Sequence, residues 1–166
     1  FNSIAKGGLM KAQFWITTAL IIFSIALSQA NASEKEISRH QVPKTVLEAF
    51  EKAYPDAKEA EFEQGKIEGK AVYEVEFKKN DKEYEILYDS DGAILQQEET
   101  IDVKTLPEGV AQAISQAHPK ATIEEAKKVM KQDGTVTGYE VEIKTEGKEL
   151  ELELDTYGKI LKTEQD

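Results

Sequence analysis

Apolar and polar residues alternate with a period of two in four short segments of the chain. This alternation predicts β-strands that bury one face and leave the other polar. The segments come in pairs, separated by short charged stretches that contain Asn80-Asp81 and Glu146-Gly147, which suit two-residue hairpin turns. We therefore expect two β-hairpins, formed by residues 73–77 with 84–88 and 139–143 with 150–154.

Before each hairpin, apolar residues recur about every four positions, which predicts one amphipathic helix there. Prolines mark both ends of each helix, because proline fits the first turn and cannot continue a helix from within. Pro43 and Pro107 would lie in the first turns, and Pro55 and Pro119 would follow the last. The apolar stripes are Val46, Phe50 and Tyr54 in the first helix, and Val110, Ile114 and His118 in the second.

The two sets of elements are copies of one pattern. Val42-Pro43 matches Leu106-Pro107, Gly92 matches Gly158, and the strand beginning at Tyr73 matches the one beginning at Tyr139. We therefore expect two tandem units, residues 42–102 and 105–166. The junction around residues 100–104 is short, which favours close packing, and the sequence leaves open whether the two sheets are continuous.

The hairpin turns fix the pairing of the strands, and all the apolar side chains then share one face. The expected apolar pairs are Tyr73–Tyr88, Val75–Ile86, Phe77–Tyr84, Tyr139–Leu154, Val141–Leu152 and Ile143–Leu150.

The opposite face of both hairpins is acidic. Glu76 would face Glu85, Glu142 would face Glu151, and Glu140 would face Glu153, although like charges opposite one another destabilise a sheet. Lys78–Glu83 and Lys144–Glu149 would offset a part of this cost. Such a broken rule can mark a functional surface, here one for a basic protein surface or cations. The alternative is a solvated face that keeps the protein soluble. The candidate partner-binding residues of this face are Glu74, Glu76, Glu85, Glu140, Glu142, Glu151 and Glu153.

The stretch from Tyr88 to Gly92, YDSDG, resembles the start of a calcium loop. The second copy replaces Asp91 with Tyr157, and a loop of the EF-hand type would need a glutamate where Thr100 stands. The retained aspartate and glycine suit a tight turn, so we expect a turn and no metal site. Tyr157 is a further candidate partner-binding residue, because aromatic side chains dominate interface energies. The alternative is an ordinary turn residue.

Composition narrows the function. The chain has 32 acidic residues against 21 Lys+Arg and a net charge of −11, which argues against nucleic acid as a partner. It has no cysteine and two histidines, His40 and His118, which excludes thiolate chemistry and disfavours a histidine-rich metal site. Carboxylates on a flat sheet interleaved with lysine suit acid–base catalysis poorly. We therefore predict no enzymatic activity and no cofactor.

The N-terminus has the features of a signal peptide. Met10-Lys11 is followed by an apolar run at 14–27 and by small residues up to Ala32. Residues 1–9 would lie upstream of the start, residues 1–32 would be removed by cleavage near Ala32-Ser33, and 33–41 would form a flexible N-terminal segment. A retained anchor is the alternative. The expected location is periplasmic or secreted, with no stable membrane insertion after cleavage.

The ordered set of a helix with proline, a YEVEF or YEVEI strand, a charged hairpin and a D-x-D-G-x-I turn resembles the PepSY-like domains of exported bacterial proteins, which are similar to the tandem domains of a beta-lactamase inhibitory protein. The resemblance implies an α+β fold in which each repeat packs one helix on a four-stranded antiparallel sheet. It also implies protein binding and restraint of peptidases, without catalytic residues. This chain lacks the cysteines of the inhibitory protein, so beta-lactamase inhibition is not carried over.

Two functions follow as hypotheses. The first is an exported non-catalytic binding module that recognises a protein partner, such as a peptidase or another protein with a basic surface, through the exposed sheet face. The second is an envelope protein that binds or buffers divalent cations weakly with its paired glutamates. A small hydrolase is a third, disfavoured possibility.

Overall fold

The computed structural model of the 166-residue chain describes residues 35–57 and 59–165. These residues form an α+β fold with one antiparallel sheet of nine strands and two α-helices. The predicted signal peptide lies outside the described residues. The helices are α1 (Lys44–Ala53) and α2 (Glu108–Ala117), and the strands are β1 (Lys35–Glu36), β2 (Ala60–Ile67), β3 (Lys70–Lys79), β4 (Lys82–Asp89), β5 (Ile94–Thr100), β6 (Thr122–Met130), β7 (Val136–Thr145), β8 (Lys148–Asp155) and β9 (Ile160–Gln165).

Each strand pairs only with its neighbours in chain order, from β1 to β9. The predicted hairpin registers are confirmed, because Lys79 pairs with Lys82 and Thr145 pairs with Lys148 across two-residue turns. The turn residues have positive φ angles, 54° at Asn80 and 61° at Asp81, which match the right-handed twist of the strands.

The sheet is continuous across the junction of the two halves. Strand β5 pairs with β6 through four residue pairs, from Gln97–Met130 to Thr100–Lys127. The sequence had suggested a four-stranded sheet in each unit, and in the structure the strands of both halves belong to one sheet. Residues 33–41 were expected to be flexible; from Lys35 onward they contain β1 and a 3₁₀ turn at Arg39–Gln41, and Ile37 is buried.

Both helices pack on the same face of the sheet, here called the helix face. Helix α1 buries Val46 and Phe50 against Val75 and its neighbours, and α2 buries Val110 and Ile114 against Val141 and its neighbours. The predicted apolar stripes are therefore confirmed at these four helix positions. The prolines lie one residue earlier than expected, because Pro43 and Pro107 precede the first helical residue.

The two Asp-x-x-Gly turns hold the strand ends against the helices. Oδ1 of Asp89 accepts hydrogen bonds from the backbone N–H groups of Asp91 and Ala93, each at 2.9 Å. Gly92 has a φ of 83° and lies so close to α1 that a Cβ atom would be 2.6 Å from the carbonyl oxygen of Thr45. The expected turn is confirmed, and the Asp89 carboxylate is occupied by hydrogen bonds from the backbone of the turn.

Within residues 35–57 and 59–165, no helix has the length and apolar character needed to cross a bilayer.

Candidate functional site

The face opposite the helices, here called the polar face, carries glutamates in rows that cross the sheet. Because side chains alternate between faces, residues paired across strands lie side by side on one face. One row crosses β2 to β5 with Glu61, Glu76, Glu85 and Glu98. A second crosses β6 to β9 with Lys127, Glu140, Glu153 and Lys162, and a third crosses the same strands with Glu125, Glu142, Glu151 and Glu164. The predicted pairs Glu76–Glu85, Glu142–Glu151 and Glu140–Glu153 are all present.

The predicted glutamates are less exposed than a solvated sheet face would leave them. Glu76, Glu85 and Glu142 are half-buried. The others are buried, with 3–6% of their surface exposed: Glu74, Glu140, Glu151 and Glu153. Buried carboxylates lose hydration, so these residues are held by their surroundings and do not simply project into water.

Apolar residues contribute to this burial. Val72, Leu87 and Val129 are at most 6% exposed, and they belong to neither of the cores beneath the helices. Strand alternation places them on the polar face, among the glutamate side chains. The polar face therefore has an apolar floor near the middle of the sheet.

Lys127 lies at the centre of the face. Its Nζ is 2.5 Å from Oε1 of Glu85, 3.5 Å from Oε1 of Glu140 and 3.8 Å from Oε1 of Glu125. Burial alone would lower the pKa of Lys127, but Glu85 and Glu140 raise it above its ordinary value, so the ammonium stays charged. These contacts connect β4 of the first half with β6 and β7 of the second.

Glu98 and Glu140 form a close acidic pair beside this lysine. Oε1 of Glu98 accepts a hydrogen bond from Nε2 of Gln96 at 2.8 Å. Oε2 of each glutamate has no hydrogen-bond donor among the residues described. Burial, followed by the charge of Glu85, raises the pKa of Glu98 to about 8. Burial, followed by the charge of Glu98, raises the pKa of Glu140 to about 10.

The rim of the polar face carries exposed ion pairs. Lys78 pairs with Glu83 in the first half, and Lys144 pairs with Glu149 at 3.0 Å in the second, as the sequence predicted. Lys162 on β9 lies 3.4 Å from Oε1 of the buried Glu153. The lysines at the rim compensate a part of the acidic charge at the centre.

A second ionic contact joins the halves on the helix face. Glu99 of β5 pairs with Lys82 of β4 and, at 2.9 Å, with Lys128 of β6. Burial alone would raise the pKa of Glu99, but the two lysines hold it below its ordinary value. The junction is therefore bridged by charged side chains on both faces of the sheet.

Tyr157 is the most exposed of the large apolar side chains, at 90%. Its turn packs against the start of α2, where Gly158 meets the backbone of Gly109, so the structure does not bring it together with the glutamates. Leu95 and Leu161 are also exposed, at 45% and 36%. They are unpaired residues at the bulges of β5 and β9, in equivalent places of the two halves.

Sequence reasoning missed Glu98, Lys127 and Glu125. The segment 94–100 has no clear alternation, and the partner of β5 is decided by the junction of the two halves. The one signal available in the sequence was a lysine, Lys127, close to the apolar residues Ala126 and Val129. No group of three or more metal-ligating side chains suited to an ion is present in the part of the chain that the structure describes.

Two family models match consecutive parts of the chain. The "Peptidase propeptide and YPEB domain" model, PepSY, matches residues 43–95. The "beta-lactamase-inhibitor-like, PepSY-like" model matches residues 94–162. The boundary between the two matches falls in β5, the last strand before the junction.

Solved structures from Bacteroides share the fold. A periplasmic protein from Bacteroides eggerthii has a TM-score of 0.60 at 13% identity, with 75% of this chain and 88% of that one covered. A DUF2874 family protein from Bacteroides uniformis has a TM-score of 0.58 at 16% identity, with 74% and 88% covered. A BLIP-like protein from Bacteroides fragilis has a TM-score of 0.53 at 20% identity, with 74% and 86% covered.

Comparison with curated proteins gives no match. The two consecutive family matches confirm the resemblance to PepSY-like domains found in the sequence, and the shared fold agrees with it.

Proposed function

We propose that this protein is an exported, non-catalytic binding module that recognises a protein partner through the polar face. The observation that supports this most directly is the continuity of that face across both halves, where Lys127 pairs with Glu85 of the first half and Glu140 of the second. A surface of this kind presents ordered charge over many strands. Ordered charge gives specificity and speeds association with a partner of opposite sign.

The partner's surface is expected to be basic with an apolar component. The half-buried and exposed acids near the rim include Glu76, Glu83, Glu142 and Glu149, which suit lysine and arginine side chains. Leu95 and Leu161 add apolar contact area at equivalent places of the two halves. Tyr157 would serve as an anchor at a separate point of the surface, beside α2.

A peptidase is the first class of partner to test. The PepSY match carries the description of a peptidase propeptide domain, and one relative of the same fold is described as BLIP-like. Inhibition of a peptidase would fit a rigid sheet surface, because preorganised interfaces lose little entropy on binding.

The chain's organisation and location belong to the same proposal. We infer that residues 42–102 and 105–166 are two copies of one unit, joined edge to edge. The predicted signal peptide and the description of the Bacteroides eggerthii relative as periplasmic support an envelope location. Removal of residues 1–32 takes away Lys6 and Lys11 and no acid, so the net charge would be 19 − 32 = −13, which would keep the protein soluble there.

Affinity capture from envelope extract tests the proposal. Three baits, each starting at Ser33, would be compared: the unaltered chain, the polar-face variant Glu76→Gln/Glu142→Gln, and the control variant Glu48→Gln/Glu108→Gln. The control removes the same charge from exposed positions on the helices. We expect a partner that the unaltered and control baits retain and the polar-face variant loses, with at least tenfold weaker binding.

Equal retention by all three baits would place the binding surface elsewhere. A captured peptidase would then be assayed with and without the added protein. Turnover of a substrate by the protein itself, abolished by a single Glu→Gln change, would contradict the non-catalytic part of the proposal.

A further inference from the structure

Glu98 and Glu140 approach each other across strand β6. Glu98 lies on β5 and Glu140 on β7, and they are 4% and 3% exposed. Their Oε2 atoms lack a donor within the described part of the chain, and the two carboxyl groups are close enough to hydrogen-bond to each other. A hydrogen bond between two carboxyl groups requires that one of them carry a proton.

The charges around the pair do not allow both groups to be ionised at little cost. Acids face it from every neighbouring strand, and Lys127 supplies the central positive charge. That ammonium is nearest to Glu85, so it cannot neutralise both members of the pair. The facing groups are Glu74 on β3, Glu85 on β4, Glu125 and Lys127 on β6, and Glu153 on β8, which has its own contact with Lys162.

The pair lies at the short ladder that joins the two halves. Four residue pairs join β5 to β6, whereas eight join β3 to β4 and eight join β7 to β8. A repulsion between buried charges on β5 and β7 would act directly on this ladder, because β6 lies between them.

We propose that Glu98 and Glu140 are joined across β6 by a hydrogen bond between protonated carboxyl groups, and that this bond stabilises the junction of the two halves, so that deprotonation at alkaline pH loosens the pairing of β5 with β6. Protonation supplies the missing hydrogen-bond donor between the two groups and removes buried negative charge. This pH-dependent stabilisation of the junction does not depend on the proposed partner.

The raised pKa values of Glu98 and Glu140 determine how the free energy of unfolding changes with pH. In the unfolded chain both groups would titrate near the ordinary pKa of 4.5, whereas in the folded protein burial raises the pKa of Glu98 to about 8 and that of Glu140 to about 10. A raised pKa contributes stability that is fully present below 4.5 and is lost as the pH rises through the folded value. Stability should therefore fall through the neutral and alkaline range.

Urea unfolding between pH 5 and pH 9 tests this directly. For each such group, the equilibrium constant for unfolding rises up to about tenfold per pH unit between the unfolded and folded pKa values. In Glu140→Gln the amide can donate to Glu98 without a proton, so a large part of this rise should disappear. Glu98→Gln should behave alike. The control Glu149→Gln, at an exposed rim position, should keep the profile of the unaltered protein.

Two further measurements distinguish the hydrogen bond between the two carboxyl groups from a general effect on packing. The carboxyl carbons of Glu98 and Glu140, followed by NMR in the unaltered protein, should titrate together above pH 6. Protection factors of the amides from Gln97 to Thr100 should fall over the same pH range, and not in Glu140→Gln.

Titration of both carboxyl groups below pH 5 would overturn the proposal, as would an unchanged pH profile in both variants. A profile that differs between 5 mM Ca²⁺ and EDTA would also overturn it, because a cation would then balance the pair in place of the proton. The measurements need no partner, so they can fail or succeed independently of the capture experiment.

Discussion

Gly158 occupies a position that a larger residue can enter only with difficulty. Its φ is 89°, and a Cβ atom would lie 2.4 Å from the carbonyl oxygen of Gly109 at the start of α2. Gly92 has the same relation to Thr45 in the first half. The glycines of the Asp-x-x-Gly turns are thus required twice, once for the backbone conformation and once for the closeness of the helix.

Replacing Gly158 by alanine should destabilise the protein by about 3 kcal/mol, from a strained φ and a clash with backbone that cannot move aside. Gly134→Ala is the matched control, because Gly134 has a φ of 82° with no atom within 4 Å of the added Cβ. It should cost about 1 kcal/mol. Urea unfolding measures both, and equal costs would show that the contact with α2 is unimportant.

Replacing Lys127 by methionine should be more costly at neutral pH than any change at the rim. The substitution keeps most of the length of the side chain but leaves the half-buried Glu85 and the buried Glu140 without their cation, at a cost of about 3–5 kcal/mol. Lys144→Met, which breaks an exposed pair, should cost at most about 1 kcal/mol. A similar loss for both variants in urea unfolding would contradict the central role of Lys127.

Among the elements, the two central hairpins differ in the residue at the second turn position. The first turn places Asp81 at a φ of 61°, whereas the second has Gly147 at 79° in the equivalent place. Turns of this hand require positive φ at both residues, and glycine adopts it without steric cost.

Asp81→Gly should therefore stabilise the protein by about 0.5–1 kcal/mol, and the reciprocal change Gly147→Asp should destabilise it by a similar amount. Thermal and urea unfolding of both variants give the comparison. Destabilisation by Asp81→Gly would mean that the aspartate side chain contributes more to the turn than its backbone conformation costs.

The elements that sequence predicted well are those whose pattern is local. The alternation of apolar and polar residues predicted the hairpins. The hairpin turns then predicted which residues face each other, including the pairs Glu76–Glu85 and Glu140–Glu153. The pairing of β5 with β6 depends on how two units meet, which no local pattern encodes. The burial of Glu140 and the role of Lys127 follow from that pairing, so they too could not be predicted.

At the scale of the whole molecule, one sheet carries both helices and both cores. The halves share the β5–β6 ladder and the ionic contacts of Lys127 and Glu99. A perturbation in either core should therefore be felt across the sheet, and unfolding should be a single cooperative transition.

Ile114→Ala, in the core beneath α2, tests this cooperativity. The truncation should cost about 2–5 kcal/mol. Four of the six tyrosines lie in the first half, at positions 54, 73, 84 and 88, so tyrosine fluorescence chiefly reports that half. We expect the fluorescence and far-UV circular dichroism transitions to shift together to lower urea. A fluorescence transition that stays in place would show that the halves unfold separately.

The order of the strands also bears on how the chain can be assembled. Each strand is added beside the one made just before it, so no strand has to enter between two others that are already paired. The chain segment between any two paired strands is a turn or contains a single α-helix. Bringing such strands together costs little chain entropy, which favours rapid folding. A growing chain can complete β2 to β5 first. The free edge of β5 then serves as the template on which β6 and the remainder of the second half are laid down.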